Sequence, residues 1–218
     1  MKRTTIMDRL RYRGPDIDAE GVRVDRFTVG GPNESFGAFL ASLEYESQGR
    51  GCAPGEYAKL VVDGVLWMSD TTAECRDHRE PVGMADMAGG DALVNGLGMG
   101  CVVAAMLDSV DHVDVVEADE RIIRTVGAWY QQEYGDRLTI HHGDAFTIQW
   151  PKGKRWNVIW HDIWPLIGSD NLPEMERLHR RYANRCRWQG SWCQAECRWM
   201  RRKEAQWQAN PERAWLDA

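Results

Sequence analysis

The sequence predicts an α/β fold: a doubly wound, mostly parallel sheet preceded by a small N-terminal β-rich region. Three observations lead to this prediction. Short apolar runs, typical of strands buried on both faces of a parallel sheet, recur after residue 90; helical patterns separate them; and the first 85 residues carry alternating runs broken by turn residues. We therefore expect two regions, 1–85 and 86–218, the second built from right-handed strand–helix–strand units.

The N-terminal region contains one strong turn signal. Asp63-Gly64 separates two apolar runs, and both positions of a two-residue hairpin turn need a positive φ. The segment 48–55 is rich in glycine and contains a proline, so we expect a loop there. Residues 1–85 are thus predicted to form hairpins rather than a helical domain.

The second region alternates strands and helices. We predict strands at 92–94, 113–116, 138–140 and 158–160, and helices at 101–107, 120–134 and 172–187. Ligands of such sheets bind beyond the carboxyl ends of the strands. The residues that follow each strand are therefore the candidates for chemistry.

Composition excludes several classes of protein. The chain has 218 residues, of which 43% are hydrophobic and 28% charged, so it can bury a core and is not of the disordered type. It contains no apolar run of about 18 residues, so no membrane span is expected. The N-terminus is basic but lacks the apolar segment of a signal peptide, which predicts a cytoplasmic protein with six reduced cysteines.

Charge and tryptophan are unevenly distributed. The net charge of −6 argues against a nucleic-acid partner, although residues 176–203 hold nine Arg or Lys against two Glu. We expect these cations to be divided between two helices rather than aligned in one stripe. Of eleven tryptophans, nine lie within 129–207. Some are expected to pack at the sheet edge, while Trp67, Trp160 and Trp164 are expected near the site, favouring a small or aromatic acceptor.

The first strand of the second region runs into a glycine-rich turn. Asn95-Gly96-Leu97-Gly98-Met99-Gly100 precedes a helix, and such glycines let the backbone approach a ligand while the helix N-terminus supplies free N–H groups. Glu117 ends the second strand, 21 residues after Gly96, where an acid can accept both hydroxyls of a ribose. The pair predicts a nucleoside site.

The next two strands also end in acids. Asp144 can accept a hydrogen bond from an adenine amino group, with Ala145 and Phe146 beside it. The fourth strand ends in His161-Asp162, which places a carboxylate over the site. Three acids at successive strand ends suit an adenosine and a cation, whereas a triphosphate would call for a GxxxxGK[ST] loop, which the sequence lacks.

Together these segments resemble the class I S-adenosylmethionine-dependent methyltransferases, and within that Rossmann-like fold the sequence is similar to spermidine synthase. The similarity spans about residues 57–200 and includes VVDGVLWM at 61–68, ECRDH at 74–78 and GSWCQAECRW at 190–199. The last of these is similar to the family's fifth strand, which implies a strand at 192–196. The resemblance implies that S-adenosylmethionine is held at its tail by Gly96, Gly98 and Gly100, at the ribose by Glu117, and at the adenine by Asp144 with Ala145. It also implies a transfer site at Asp162, with His161 in reserve, and an acceptor side formed by Trp67, Glu74, His78 and Trp164.

The chain departs from the synthases at several positions. Met99 stands where they carry an aspartate for the ammonium of decarboxylated S-adenosylmethionine, and Trp67 stands in place of a glutamine. A thioether cannot pair with a buried ammonium, so we expect ordinary S-adenosylmethionine as the cofactor. The family's terminal strands are missing, which would leave a sheet edge for a second copy of the chain or the C-terminal helix to cover.

Three functions remain open from the sequence. We expect methyl transfer to a small or medium acceptor molecule, with Asp162 as base or orienting group. The alternatives are aminopropyl transfer from decarboxylated S-adenosylmethionine and a non-catalytic adenosyl-binding or assembly protein. We expect no metal site, because Cys186, Cys193 and Cys197 do not form a CxxC pair.

Overall fold

The computed structural model describes residues 4–30 and 50–209. After helix α1 (Ile6–Arg9), four strands form an antiparallel sheet in chain order: β1 (Ile17–Ala19), β2 (Val22–Val29), β3 (Gly55–Val62) and β4 (Val65–Ser69). Two helices, α2 (Thr72–Asp77) and α3 (Arg79–Ala88), lead to the second sheet. Residues 85 and 86 therefore lie within one helix, and the division at that point stays a prediction.

The hairpin predicted at Asp63-Gly64 is confirmed. Both residues have positive φ, +50° and +81°, and Val62 pairs with Val65 across the turn. Further along, the pairing moves from Val61↔Leu66 to Leu60↔Met68, so Trp67 is the extra residue of a β-bulge.

The second sheet is five-stranded and parallel, with the order β7-β6-β5-β8-β9. Its strands are β5 (Asp91–Asn95), β6 (His112–Glu117), β7 (Leu138–His142), β8 (Trp156–His161) and β9 (Cys186–Ser191). The chain starts in the middle, builds outward to β7, then returns to the other side through β8. This order is that of a Rossmann-like doubly wound sheet, whose switch point lies between β5 and β8.

Helices connect these strands. They are α4 (Cys101–Leu107), α5 (Glu120–Ile122), α6 (Ala128–Tyr134), α7 (Leu172–Tyr182) and α8 (Gln194–Ala209), with a π-helical turn at Ile123–Gly127 joining α5 to α6. The helices predicted at 101–107 and 120–134 are thus confirmed in extent, the second with an unexpected π-helical turn.

The prediction for residues 172–199 was wrong in its boundaries. The buried face of α7 ends at Tyr182, whose carbonyl accepts the N–H of Arg185 at 2.8 Å, and the chain then enters β9 at Cys186. Residues 192–196, expected as a strand, form a turn and the start of α8. The cations of 176–203 are divided between α7 and α8 as expected, except that Arg187 lies in β9 and Arg185 just before it.

The parallel sheet separates two hydrophobic clusters. Val94 and Trp160 belong to the larger one, which also includes Val24 and Leu60 of the antiparallel sheet, so the two sheets share a core. Leu93 and Ile159 face the other cluster, beneath α7. Among the described residues, no helix is long and apolar enough to cross a bilayer.

Candidate functional site

The loop between β5 and α4 makes a closely packed turn at the carboxyl edge of the sheet. Gly96, Gly98 and Gly100 all have positive φ. A Cβ on Gly96, at φ +97°, would lie 2.0 Å from the backbone oxygen of Asp162, and one on Gly100 would lie 2.4 Å from the ring of Tyr130. Only glycine fits at either position, so the loop reaches the end of β8 directly.

Glu117 is tied to this loop. Its two carboxylate oxygens accept the backbone N–H groups of Leu97 and Asp119, each at 2.8 Å. The side chain is largely buried. A carboxylate offers about four acceptor positions, so both oxygens keep capacity for the hydroxyls of a ribose. The position predicted from spacing alone thus lies beside the glycine loop.

Asp144 and Ala145 follow β7 but differ in exposure. Asp144 is exposed, and its Oδ1 accepts the N–H of Phe146 at 2.8 Å. Ala145 is buried, with its carbonyl accepting the hydroxyl of Tyr182. The guanidinium of Arg177 lies 3.8 Å from the ring centre of Phe146 and covers that ring, a contact that the sequence did not indicate.

Asp162 follows β8 directly, and its N–H donates to the carbonyl of Asn95 at 2.8 Å. Its Oδ2 lies 3.7 Å from Nε2 of His78, and its side chain remains one-fifth exposed. Burial, reinforced by the negative charges of Glu74, Asp77 and Glu117, raises the pKa of Asp162 to about 7. The carboxyl is therefore poised between its two protonation states at neutral pH.

The segment from the N-terminal side supplies the facing groups. Glu74 accepts the N–H of Ser69 at 2.6 Å, and burial raises the pKa of its carboxyl to about 7. His78 is buried, burial lowers its pKa to about 4, and its Nδ1 has no hydrogen-bond partner among the described residues. Asp77 pairs with Arg50 at 2.7 Å. We refer to Glu74, Asp77, Glu117 and Asp162 together as the four acids.

His161 does not face the four acids. The ring is fully buried, with Nδ1 2.7 Å from the amide nitrogen of Asn95 and Nε2 3.2 Å from the side-chain oxygen of Gln189. Burial lowers its pKa to about 3, so the imidazole is neutral and both nitrogens are engaged. The expectation of a reserve base is corrected, because the ring joins β5, β8 and β9 beneath the site.

The two tryptophans expected on the acceptor side differ in exposure. Trp164 is buried in the smaller cluster, and its indole N–H donates to Glu174 at 2.9 Å. Trp67 is 40% exposed at its bulge, beside exposed Val65 and Leu66. Neither tryptophan contacts any of the four acids through a hydrogen bond or ring contact found among the described residues.

Met99 was expected to line the tail pocket, and this was wrong. Its side chain is fully buried in the larger cluster. The thioether that lies on the loop belongs to Met68 of β4, whose sulfur accepts the N–H of Met99 at 3.3 Å. The positive φ of the flanking glycines turns residue 99 inward, a direction that the sequence spacing did not specify.

The cysteines do not form a metal site in the described part of the chain. All six are free, and no group of three His, Cys, Asp or Glu side chains there could hold a metal ion. Cys193 and Cys197 are buried near the start of α8. These thiols are packing groups at the end of the sheet.

Comparisons with known proteins find structural similarity over part of the chain. No protein-family model matches it, and no curated protein does. The CcbJ methyltransferase from Streptomyces caelestis is 20% identical over 50% of this chain and 45% of its own, with a TM-score of 0.40. A putative RNA methyltransferase from Pyrococcus horikoshii is 17% identical over 52% and 56%, also at 0.40.

A dimethyladenosine transferase from Plasmodium falciparum is 22% identical over 44% of this chain and 35% of its own, with a TM-score of 0.35. The chain thus spans between 35% and 56% of the length of these three structures. None of the three is a spermidine synthase, so the closer resemblance to that family finds no support among them. The strand order described above establishes the fold, and the chemistry of the site indicates the function.

Proposed function

We propose that the chain is an S-adenosylmethionine-dependent methyltransferase acting on a small or medium acceptor molecule. The observation that carries this proposal is the joining of three strand ends at the switch point. The Gly96 backbone lies against the carbonyl of Asp162, and Glu117 holds the N–H of Leu97. A nucleoside site and a titrating carboxyl are therefore adjacent in this fold.

The residues present fit the cofactor. A Cβ on Gly96, Gly98 or Gly100 would clash with its surroundings, so the loop surface is backbone, which can approach a ligand tail closely. Glu117 would accept the ribose hydroxyls, and the remaining oxygen of Asp144 would accept the adenine amino group, with Ala145 beside it. When bound, S-adenosylmethionine supplies an electrophilic methyl group.

The chain's own residues would orient the acceptor and remove its proton. Asp162, with a pKa near 7, accepts a proton readily while still being half ionised at neutral pH, which is the condition for an efficient general base. Glu74 and His78 face it from the N-terminal side, and neutral His78 adds no charge of its own. Alignment of nucleophile and methyl group supplies the rest of the acceleration.

Aminopropyl transfer is the second candidate function, and the negative charge of the four acids favours it. The negative charges of the four acids would attract a cationic amine bound beside Asp162. Such a cation would offset the repulsion that, together with the larger effect of burial, raises the pKa of Asp162. Against it, the glycine loop presents no acid to the extra ammonium of a decarboxylated cofactor; residue 99 is a methionine with a buried side chain. We therefore rank methyl transfer first.

Radiolabelled cofactors separate these functions. The full chain is incubated with methyl-labelled S-adenosylmethionine and a size-fractionated cell extract, and in parallel with aminopropyl-labelled decarboxylated S-adenosylmethionine. We expect label from the first cofactor to appear in a low-molecular-mass product. Label only from the second would favour aminopropyl transfer, whereas tight binding without product from any fraction would indicate an adenosyl-binding protein.

Glu117→Gln should weaken cofactor binding. The amide keeps one acceptor oxygen but directs N–H groups at a backbone donor and at the ribose, so we expect about tenfold or greater loss of S-adenosylmethionine affinity in calorimetry. The matched control is Glu120→Gln, three residues away, where the exposed side chain pairs only with Arg124 among described partners. Equal affinities for both variants would remove Glu117 from the ribose site.

A further inference from the structure

The thioether of Met68 lies on the glycine loop. Its sulfur accepts the N–H of Met99, with 3.3 Å between nitrogen and sulfur. A Cβ on Gly98 would lie 2.4 Å from the same sulfur, so the side chain occupies the surface that the loop glycines leave open. Met68 comes from β4, and the antiparallel sheet thus reaches directly into the cofactor half of the site.

The N–H groups of the loop are not held equally. Those of Gly96 and Gly100 donate to the backbone carbonyls of Val116 and Leu97, at 2.8 and 2.7 Å, and that of Leu97 donates to Glu117. Each of these acceptors is an oxygen. The N–H of Met99 has a thioether instead, which is a weak acceptor. Among these four N–H groups, that of Met99 is the one whose acceptor a ligand would displace most easily.

We propose that Met68 determines which ligand tail the loop accepts, by holding the Met99 N–H until a tail carboxylate replaces the sulfur. This inference rests on the proposed function. A carboxylate forms a hydrogen bond roughly twice as strong as a neutral acceptor, so it displaces the thioether. A tail without a carboxylate offers nothing to the N–H and leaves it on sulfur. The unbranched methionine can rotate aside without movement of β4.

Two substitutions at position 68 change the acceptor but little else. Met68→Leu keeps the volume and removes the sulfur, while Met68→Gln provides a stronger oxygen acceptor for the same N–H. Binding of S-adenosylmethionine, its decarboxylated form and 5′-methylthioadenosine, which lacks the tail, is measured by calorimetry on the full chain. The thermal midpoint of each variant shows that it is folded.

We expect the leucine variant to bind S-adenosylmethionine about two- to tenfold more tightly than the wild type, and the glutamine variant to bind it more weakly by a similar factor, since that is the net worth of one neutral hydrogen bond. The other two ligands should keep their wild-type affinities. An equal change for all three ligands would mean that Met68 only fills space, and would overturn the inference while leaving the proposed function intact. Failure of the wild type to bind any of the three would overturn the proposed function, and the inference with it.

Discussion

Asp162→Asn is expected to abolish turnover while leaving cofactor binding in place. The amide cannot accept the acceptor's proton, and loss of a general base costs about 10²- to 10⁴-fold in rate. In the proposed site the adenosine and tail contacts lie on other residues, so the affinity for S-adenosylmethionine should stay near that of the wild type. Turnover by product formation and affinity by calorimetry are measured on the same preparation.

The control for this substitution is Asp18→Asn, an exposed position in β1 that is far along the chain from every strand of the parallel sheet. It makes the same replacement of a carboxyl by an amide and should leave both readings unchanged. Undiminished turnover by the Asp162 variant would show that the acceptor loses its proton to another group. A parallel loss of cofactor affinity would instead assign Asp162 to binding.

The pH dependence follows from the same carboxyl. Because the pKa of Asp162 is raised to about 7, its basic form predominates only above that pH. Turnover should therefore rise through pH 7 and level off above it. The native state retains this proton where the unfolded chain has lost it, so the free energy of unfolding falls as pH rises from about 4 to 7. Asp162→Asn should remove part of that fall, visible as a higher thermal midpoint at pH 8 than the wild type.

Gly96→Ala is expected to have the largest effect on the fold of the site. The residue has φ +97°, and the new Cβ would lie 2.0 Å from the carbonyl oxygen of Asp162, a contact between two backbone segments that no rotamer change can relieve. Conformational strain and the clash together should lower the free energy of unfolding by about 3 kcal/mol or more. Cofactor binding should be lost with it, because the end of β8 must move away from the loop.

Gly64→Ala separates the conformational strain of a positive φ from the steric clash of the new Cβ. Gly64 has φ +81° at the hairpin turn, and a Cβ there would meet nothing within 4 Å. Only the conformational cost applies, about 1 kcal/mol. Urea unfolding of both variants gives the comparison. If the two losses of stability were equal, the close approach of Gly96 to Asp162 would be absent in solution.

The strand ends could be predicted because parallel strands finish at one edge of a sheet. The apolar runs located β5 to β8, and the acids after them, Glu117, Asp144 and Asp162, follow from that topology alone. The hairpin at Asp63-Gly64 was predictable for a local reason, since few dipeptides tolerate two positive φ values. These features depend on short-range chemistry or on the sheet's polarity.

Side-chain direction could not be predicted. His161 is the last residue of β8 and points into the sheet's buried network, whereas Asp162 next to it points out. Met99 is turned inward by the loop, and Met68 takes its place from another sheet. The ion pair of Asp77 with Arg50 joins residues 27 apart without any local pattern. Such placements are set by tertiary packing, which the hydrophobic periodicity of a sequence does not reveal.

The shared core of the two sheets has a consequence for how the protein is maintained. The candidate site gathers Met68, Gly98, Glu117 and Asp162 from four separate segments, so a partly folded chain offers no binding surface. A ligand there binds the native state alone and, at 100 times its Kd, adds about 2.7 kcal/mol to the free energy of unfolding. We therefore expect a ligand bound at this site to protect both sheets against unfolding together, although it contacts only a few residues of each.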